Sequence, residues 1–217
     1  MKSLHSNKLK AFTLIELLVV ALILVLCACI MIPSIAHQRR RATQDRCVNN
    51  LKQVGLAFRT FAVDQFDGFS TQLSVTSGGS KEFATTGQVF VHFRVMSNEL
   101  GSASILACPA DAAKTLTTNF ASGFSDSNVS YFVSLNAQDT YPQMFLSGDR
   151  NLTLPGREPT NGLFILTTNM VLTWTRSIHQ SCGNILLADG SVQFLNSPRL
   201  TDAARNQGWD TNRLVIP

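Results

Sequence analysis

A single carboxylate, Glu16, stands inside an otherwise apolar run, KLKAFTLIELLVVALILVLCACIMIPSIA, over residues 8 to 36. An ionised group at the centre of a membrane costs about 2.5–3.5 kcal/mol even on a lenient insertion scale, so Glu16 calls for a partner. At the other end of the chain His179 precedes Asp189-Gly190 in the spacing H-x9-D-G, and Cys182 lies three residues after the histidine. A histidine beside cysteines is the raw material of a zinc site or a Cys-His nucleophile. His179, Cys182 and Cys108 are the residues that would form either one. However, no C-x2-C or H-x3-H spacing supports zinc, and no nucleophile motif surrounds Cys182 or Cys108. G-x-S-x-G, Walker A and Gly-rich dinucleotide fingerprints are absent, so the expectation is a protein that is not an enzyme.

The elements that must carry these residues begin with the apolar run. From Phe12 to Ala36 it makes a helix of roughly 37 Å, longer than a hydrocarbon core of about 30 Å. A secretory signal has a shorter apolar region and an A-x-A-like end, so the segment reads as a retained membrane anchor behind a short basic leader.

The string KAFTLIELLVV (10 to 20) resembles the processing site of type IV prepilins and type II secretion pseudopilins. The resemblance implies that a prepilin peptidase cuts between Ala11 and Phe12 and methylates the new amino terminus. Ala11 stands where the family usually has glycine, which keeps the small size at that position. Glu16 then lies four residues after the new terminus, and Pro33 twenty-one after it, where pilins tend to carry a proline. The role implied for Glu16 is an ion pair with the Phe12 ammonium of a neighbouring subunit, a pairing that low dielectric strengthens. Pro33 lacks an N–H and should kink or loosen the helix. RCVNNLKQVGLAF (46 to 58), SNVSYFVSLNAQ and SGDRN resemble pseudopilin-like proteins of Planctomycetes and Verrucomicrobia, and H-x9-DG resembles their C-terminal signature.

The resemblance divides the chain into a cleaved leader (1–11), a transmembrane and filament-core helix (12–36) and a pilin-like globular domain (37–217). The implied fold is α+β, a long N-terminal helix packed on a small, mainly antiparallel sheet. Implied partners are further copies of this chain or related pseudopilins, the prepilin peptidase and an inner-membrane assembly platform, with the head in the periplasm. No resident cofactor is expected. Calcium, held in a C-terminal loop by major pseudopilins, is the alternative, with Asp189, Asp149 or Asp126 as ligands, although D-x-[DN]-x-[DN]-G is missing.

The chain carries +4, with 18 basic and 14 acidic side chains. Removing Lys2, Lys8 and Lys10 with the leader leaves 15 basic against 14 acidic, or +1, so no nucleic-acid partner is expected despite Arg39, Arg40, Arg41 and Arg46. Cys27 and Cys29 fall in the anchor. Cys47, Cys108 and Cys182 remain, an odd set that allows three pairings or burial as small hydrophobes. The resemblance favours Cys47 with Cys108, because the long helix and the ACPAD segment of the relatives tend to carry a cysteine.

Beyond the anchor, Val48, Leu51, Gly55, Phe58 and Ala62 recur at helical spacing and predict an amphipathic helix over 38–66 that packs on a sheet. A polar connector follows over 68–80, then a helix over 89–100 and a brief strand over 104–107. Neighbouring strands are expected at 128–136 and 144–147. GNILLADGSVQFL (183 to 195) predicts a hairpin turning at Asp189-Gly190. A surface helix over 198–207 and a closing tail over 212–217 complete the reading, with His179 expected to bond a carbonyl or the Asp189 carboxylate across the hairpin.

Overall fold

The computed structural model describes residues 13–65, 68–157 and 161–217, leaving aside the side chains of 32–37. The chain forms two compact units, one through Ala42 and one from Thr43 to Pro217. Helix α1, Leu14–Asp64, supplies nearly all of the first described unit and continues into the second. Its helix runs through Pro33 without interruption, so the proline costs a hydrogen bond without ending the element.

The second unit is α+β. Strands β1 (Tyr131–Ser134), β2 (Phe145–Asp149), β3 (Leu152–Thr153), β4 (Gly162–Thr167), β5 (Thr173–Trp174), β6 (Cys182–Leu187), β7 (Val192–Asn196) and β8 (Thr211–Ile216) follow in chain order. Six of them form an antiparallel sheet in the order β4-β8-β1-β2-β6-β7, and β3 pairs with β5 separately. One face of the sheet packs under the second half of α1, where Cys47, Leu51, Val54, Phe58 and Phe61 meet Tyr131, Val133, Leu146, Leu186 and Val215. The opposite face presents Phe132, Phe145, Ile185, Leu214 and Ile216 to Trp174 and to the later helix α4 (Ser197–Arg205), through Leu200 and Ala204. Burial on both faces explains why β1 and β2 are buried along their whole length rather than alternately. Gly55 lets α1 approach the sheet, since a Cβ there would meet Leu186 at 2.7 Å.

Several sequence expectations need correction. The helix expected over 89–100 is two short helices, α2 (Phe90–Arg94) and α3 (Ser97–Leu100), broken at Val95-Met96, with Phe93, Met96 and Leu100 all in the core. The strand expected over 104–107 is a 3-10 turn at Ala103–Leu106, closed by the Ser102 hydroxyl accepting from the Ser104 N–H. The connector is folded inward. Ser80 donates both its N–H and its hydroxyl to the Ser70 carbonyl, and its oxygen lies 2.8 Å from His92 Nδ1.

The closing tail is the interior strand β8, whose Leu214 and Ile216 face one core and Val215 the other. The expected hairpin is β6–β7, but only Gly190 has a positive φ, +86°. Gly190 N–H bonds Leu187 O and Leu187 N–H bonds Ser191 O, so the loop is the longer kind with a single left-handed glycine.

Candidate functional site

The first candidate region is the start of α1. An 18-residue window, Leu14–Met31, has a mean hydropathy of 3.1 and none of it is buried, so this helix is long and apolar enough to cross a membrane. Ala11 and Phe12, the proposed cleavage and methylation residues, lie outside the described residues. Glu16 is exposed and engaged with its own helix end. Its Oε2 accepts from the Thr13 N–H at 2.8 Å and from the Thr13 hydroxyl at 2.7 Å, and Thr13 Oγ1 accepts from the Glu16 N–H at 3.4 Å. This is a reciprocal T-x-x-E capping box, whose signal stood in the sequence as Thr13-Leu-Ile-Glu16.

The second region is a buried polar cluster beneath the sheet end. Cys47 of α1 and Cys108 form a disulfide across 61 residues. His179 Nε2 lies 3.4 Å from Cys108 Sγ, 3.3 Å from Asn184 Nδ2 and 3.6 Å from Asp149 Oδ2. Asp149 ends β2 and is fully buried. Its Oδ2 accepts from both the backbone N–H and the side-chain amide of Asn184 on β6, while its Oδ1 has no hydrogen-bond partner among the described residues. Burial pushes the Asp149 carboxyl up to about 7, against the Asn184 hydrogen bonds, and burial lowers the basicity of His179, against the attraction of Asp111. Both groups are therefore driven toward their uncharged forms.

Next to this pair, Asp111 of the ACPAD segment holds Arg150 through two hydrogen bonds of 2.6 and 2.8 Å. Burial raises the Asp111 carboxyl, but the Arg150 hydrogen bonds and charge outweigh it and hold the group below its ordinary value. Asn151 then fastens the chain around His179, its Nδ2 donating to the carbonyls of Thr175, Ile178 and Cys182. Between those anchors His179, Gln180 and Ser181 all adopt left-handed backbone, with φ of 50°, 55° and 67°. Such conformations cost about 1–2 kcal/mol each outside glycine, so the clamp maintains a strained turn.

His179 and Asp189 do not meet. They flank opposite ends of β6, whose six residues span about 20 Å. Asp189 Oδ1 accepts instead from the Ser191 N–H at 2.8 Å, and its carbonyl accepts from Arg59 of α1 at 2.6 Å. His179 therefore builds the cluster, and Asp189-Gly190 builds the turn that docks on α1. The three aspartates named for calcium are likewise apart: Asp149 is in the cluster, Asp189 is at the turn, and Asp126 accepts from the Phe90 N–H.

The zinc set is also redrawn. Among the described residues, the ligand atoms that converge within 4.8 Å are those of Cys47, Cys108 and His179, and Cys182 is a free cysteine outside that group. In the disulfide the two sulfurs offer no thiolate, either to a metal or as a nucleophile. Asp111, Arg150, Asn151 and Asn184 were not singled out from sequence. Asp-Arg-Asn at 149–151, three polar residues closing an apolar strand, was the available signal.

No protein-family model, no curated protein and no solved structure matches this chain.

Proposed function

We propose that the chain is a pseudopilin, a subunit of a type II secretion-like filament. The observation that carries this reading is one carboxylate, Glu16, in the first turn of an apolar, fully exposed helical segment that continues as the spine of an α+β head. Eighteen exposed apolar-segment residues need a nonaqueous neighbour, first lipid and then the same segments of other copies. In this reading the leader is cut after Ala11 by a prepilin peptidase and Phe12 is methylated. The head lies on the periplasmic side of the inner membrane. An assembly platform draws subunits into a filament whose growth drives protein export. On leaving lipid, Glu16 turns from its own Thr13 to the Phe12 ammonium of a neighbour, which sets subunit register.

The contacts between Glu16 and Thr13 also fit a second reading, a membrane-tethered domain in which Glu16 only caps its helix. Glu16→Gln separates the two readings, because glutamine preserves a capping box and removes the charge. Filament assembly in cells should be lost in Glu16→Gln while Thr13→Ala, which weakens the cap, still assembles. Normal filaments from Glu16→Gln, or an intact Met1 by N-terminal peptide mass, would reject the filament reading. A surface type IV pilus subunit shares the chemistry and is told apart by whether secretion or surface pili fail on deletion.

A further inference from the structure

The cluster around His179 holds more donor atoms than the disulfide uses. Cys47 Sγ, Cys108 Sγ and His179 Nε2 lie within 4.8 Å of one another, and Asp149 Oδ2 adjoins them, 3.6 Å from Nε2. Donors on one tetrahedral zinc ion, bonded at about 2.3 Å for sulfur and about 2.0–2.2 Å for nitrogen and oxygen, stand roughly 3.3–3.8 Å apart. Cys108 Sγ and Nε2, at 3.4 Å, and Nε2 and Asp149 Oδ2, at 3.6 Å, already have that spacing.

The imidazole presents a lone pair at this point. Asn184 Nδ2 donates to Asp149 Oδ2 at 2.9 Å, and the same amide nitrogen lies 3.3 Å from Nε2. A donor facing Nε2 places the ring proton on Nδ1 and leaves Nε2 the acceptor. A disulfide sulfur has no proton to give, so in the oxidised chain Nε2 and Cys108 Sγ meet lone pair to lone pair. Asp149 repeats the pattern, fully buried and with an Oδ1 that no donor satisfies among the described residues. Buried acceptors without donors are costly, and two thiolates, an imidazole and a carboxylate are zinc ligands.

We infer that, with Cys47 and Cys108 as thiols, the second unit binds one Zn2+ through Cys47, Cys108, His179 and Asp149. Tetrahedral sulfur and nitrogen donors select zinc over the harder divalent ions. The site is closed: Cys47 and Asp149 are 0% exposed, Cys108 is 2% and the His179 side chain 5%, which fits a structural ion with no position open to a substrate. The surrounding shell is already in place, since Asn184 holds Asp149, and Asn151 holds the turn that carries His179.

Passing from the disulfide to the zinc form takes two thiols as reductant. They become one disulfide, the Cys47–Cys108 bond breaks, and their two protons, taken up by the cysteine sulfurs, are displaced as the two Zn–S bonds form. A disulfide oxidant reverses the exchange and expels the ion. The same segments are thereby tied in either redox state: α1, the ACPAD loop, the end of β2 and the turn before β6. The inference needs only residues 47 to 184, and it holds whether the chain is a filament subunit or a tethered domain.

The test uses the full chain in detergent with Cys27, Cys29 and Cys182 replaced by serine. One sample keeps the disulfide, and the other is reduced with a phosphine in urea, refolded without oxygen and freed of reductant. Competition against a chromophoric chelator should give one Zn2+ per reduced chain and none per oxidised chain. Co2+ in place of zinc should show thiolate-to-cobalt charge transfer and the strong visible bands of a tetrahedral ion. His179→Ala should shift those bands and weaken zinc by more than the about 10–100-fold that loss of a supporting residue costs. Asp149→Asn should weaken zinc as well. Because binding adds to folding, zinc should raise the urea midpoint of the reduced chain and a chelator should lower it again. The site is overturned by a reduced chain that takes up no zinc, by equal uptake in the oxidised chain, or by an affinity unchanged in both variants. A urea midpoint indifferent to zinc overturns it too, without requiring either variant to fold.

Discussion

Asp149 Oδ2 sits 3.6 Å from His179 Nε2 with both side chains buried, a pair in which neither partner is favoured to carry its charge. The carboxyl of Asp149 is held near 7 against an ordinary 3.8, so between about pH 4 and 7 the native state keeps a proton that the unfolded chain releases. Its contribution to stability is complete below pH 4 and is lost as pH rises through 7. His179, lowered by burial, and His92, lowered by burial to about 4, act in the opposite sense; their contributions are present above about 6.5 and fade as pH falls. Asp149→Asn should remove only the first dependence. The stability difference between variant and parent should then change by about 1.4 kcal/mol per pH unit across that window, in favour of the variant at higher pH. Urea unfolding of the detergent-solubilised chain at pH 4.5 and 7.5 measures this, and a pH-independent difference would refute it.

The left-handed turn makes two opposed substitutions informative. Asn151→Ala removes the donor shared by three carbonyls and should destabilise by about 2–3 kcal/mol. Gln180→Gly relieves a φ of 55° and should stabilise by up to about 1 kcal/mol. Thermal unfolding of both variants checks the signs. Loss of stability in Gln180→Gly would mean that its side chain matters more than its backbone.

Cys47–Cys108 closes a long loop, and the chain-entropy relation assigns such a bond about 4 kcal/mol. The double substitution to alanine should lower the unfolding free energy by that order. Reduction of the native chain should give the same shift in urea midpoint. A shift under about 1 kcal/mol would show that the reduced, unfolded chain already holds these segments together.

Gly183 on β6 faces the Trp174 ring, where a Cβ would come within 2.6 Å. Gly183→Ala should cost about 1–3 kcal/mol by overpacking. Trp174 fluorescence offers a local readout, and an unchanged emission with unchanged stability would contradict the tight contact.

The parts legible in the sequence were those with local signals. The helix through Phe58 followed from its spacing, and the β6–β7 hairpin from Asp189-Gly190 between apolar runs. Helix α4 followed from Pro198 near its start and Gly208 after its end, although its Leu200 and Ala204 are core rather than surface. What stayed hidden depends on pairing between distant segments. TNRLVI becomes a strand because GLFILT lies along it, and neither announces the other. The cluster around His179 is of the same kind: Cys47, Asp149 and Asn184 come from three elements and Cys108 from a loop, and only folding makes them neighbours. The H-x9-DG spacing was visible, but the contact expected between His179 and Asp189 does not form, because a strand of extended backbone separates them.

Helix α1 enters the head through a covalent link. Cys47 lies five residues past Ala42, ahead of Leu51, Val54 and Phe58, so tension applied along the helix from Leu14 meets the disulfide before most of the hydrophobic seam. A pull that would otherwise peel the helix from the sheet one side chain at a time is passed at Cys108 to the ACPAD loop, where Asp111 and Arg150 tie it to β2. The packed half of the helix is thereby welded to the head ahead of its apolar seam, and a load on that half is shared with β2 through Cys108 and Asp111 instead of falling on one side chain after another.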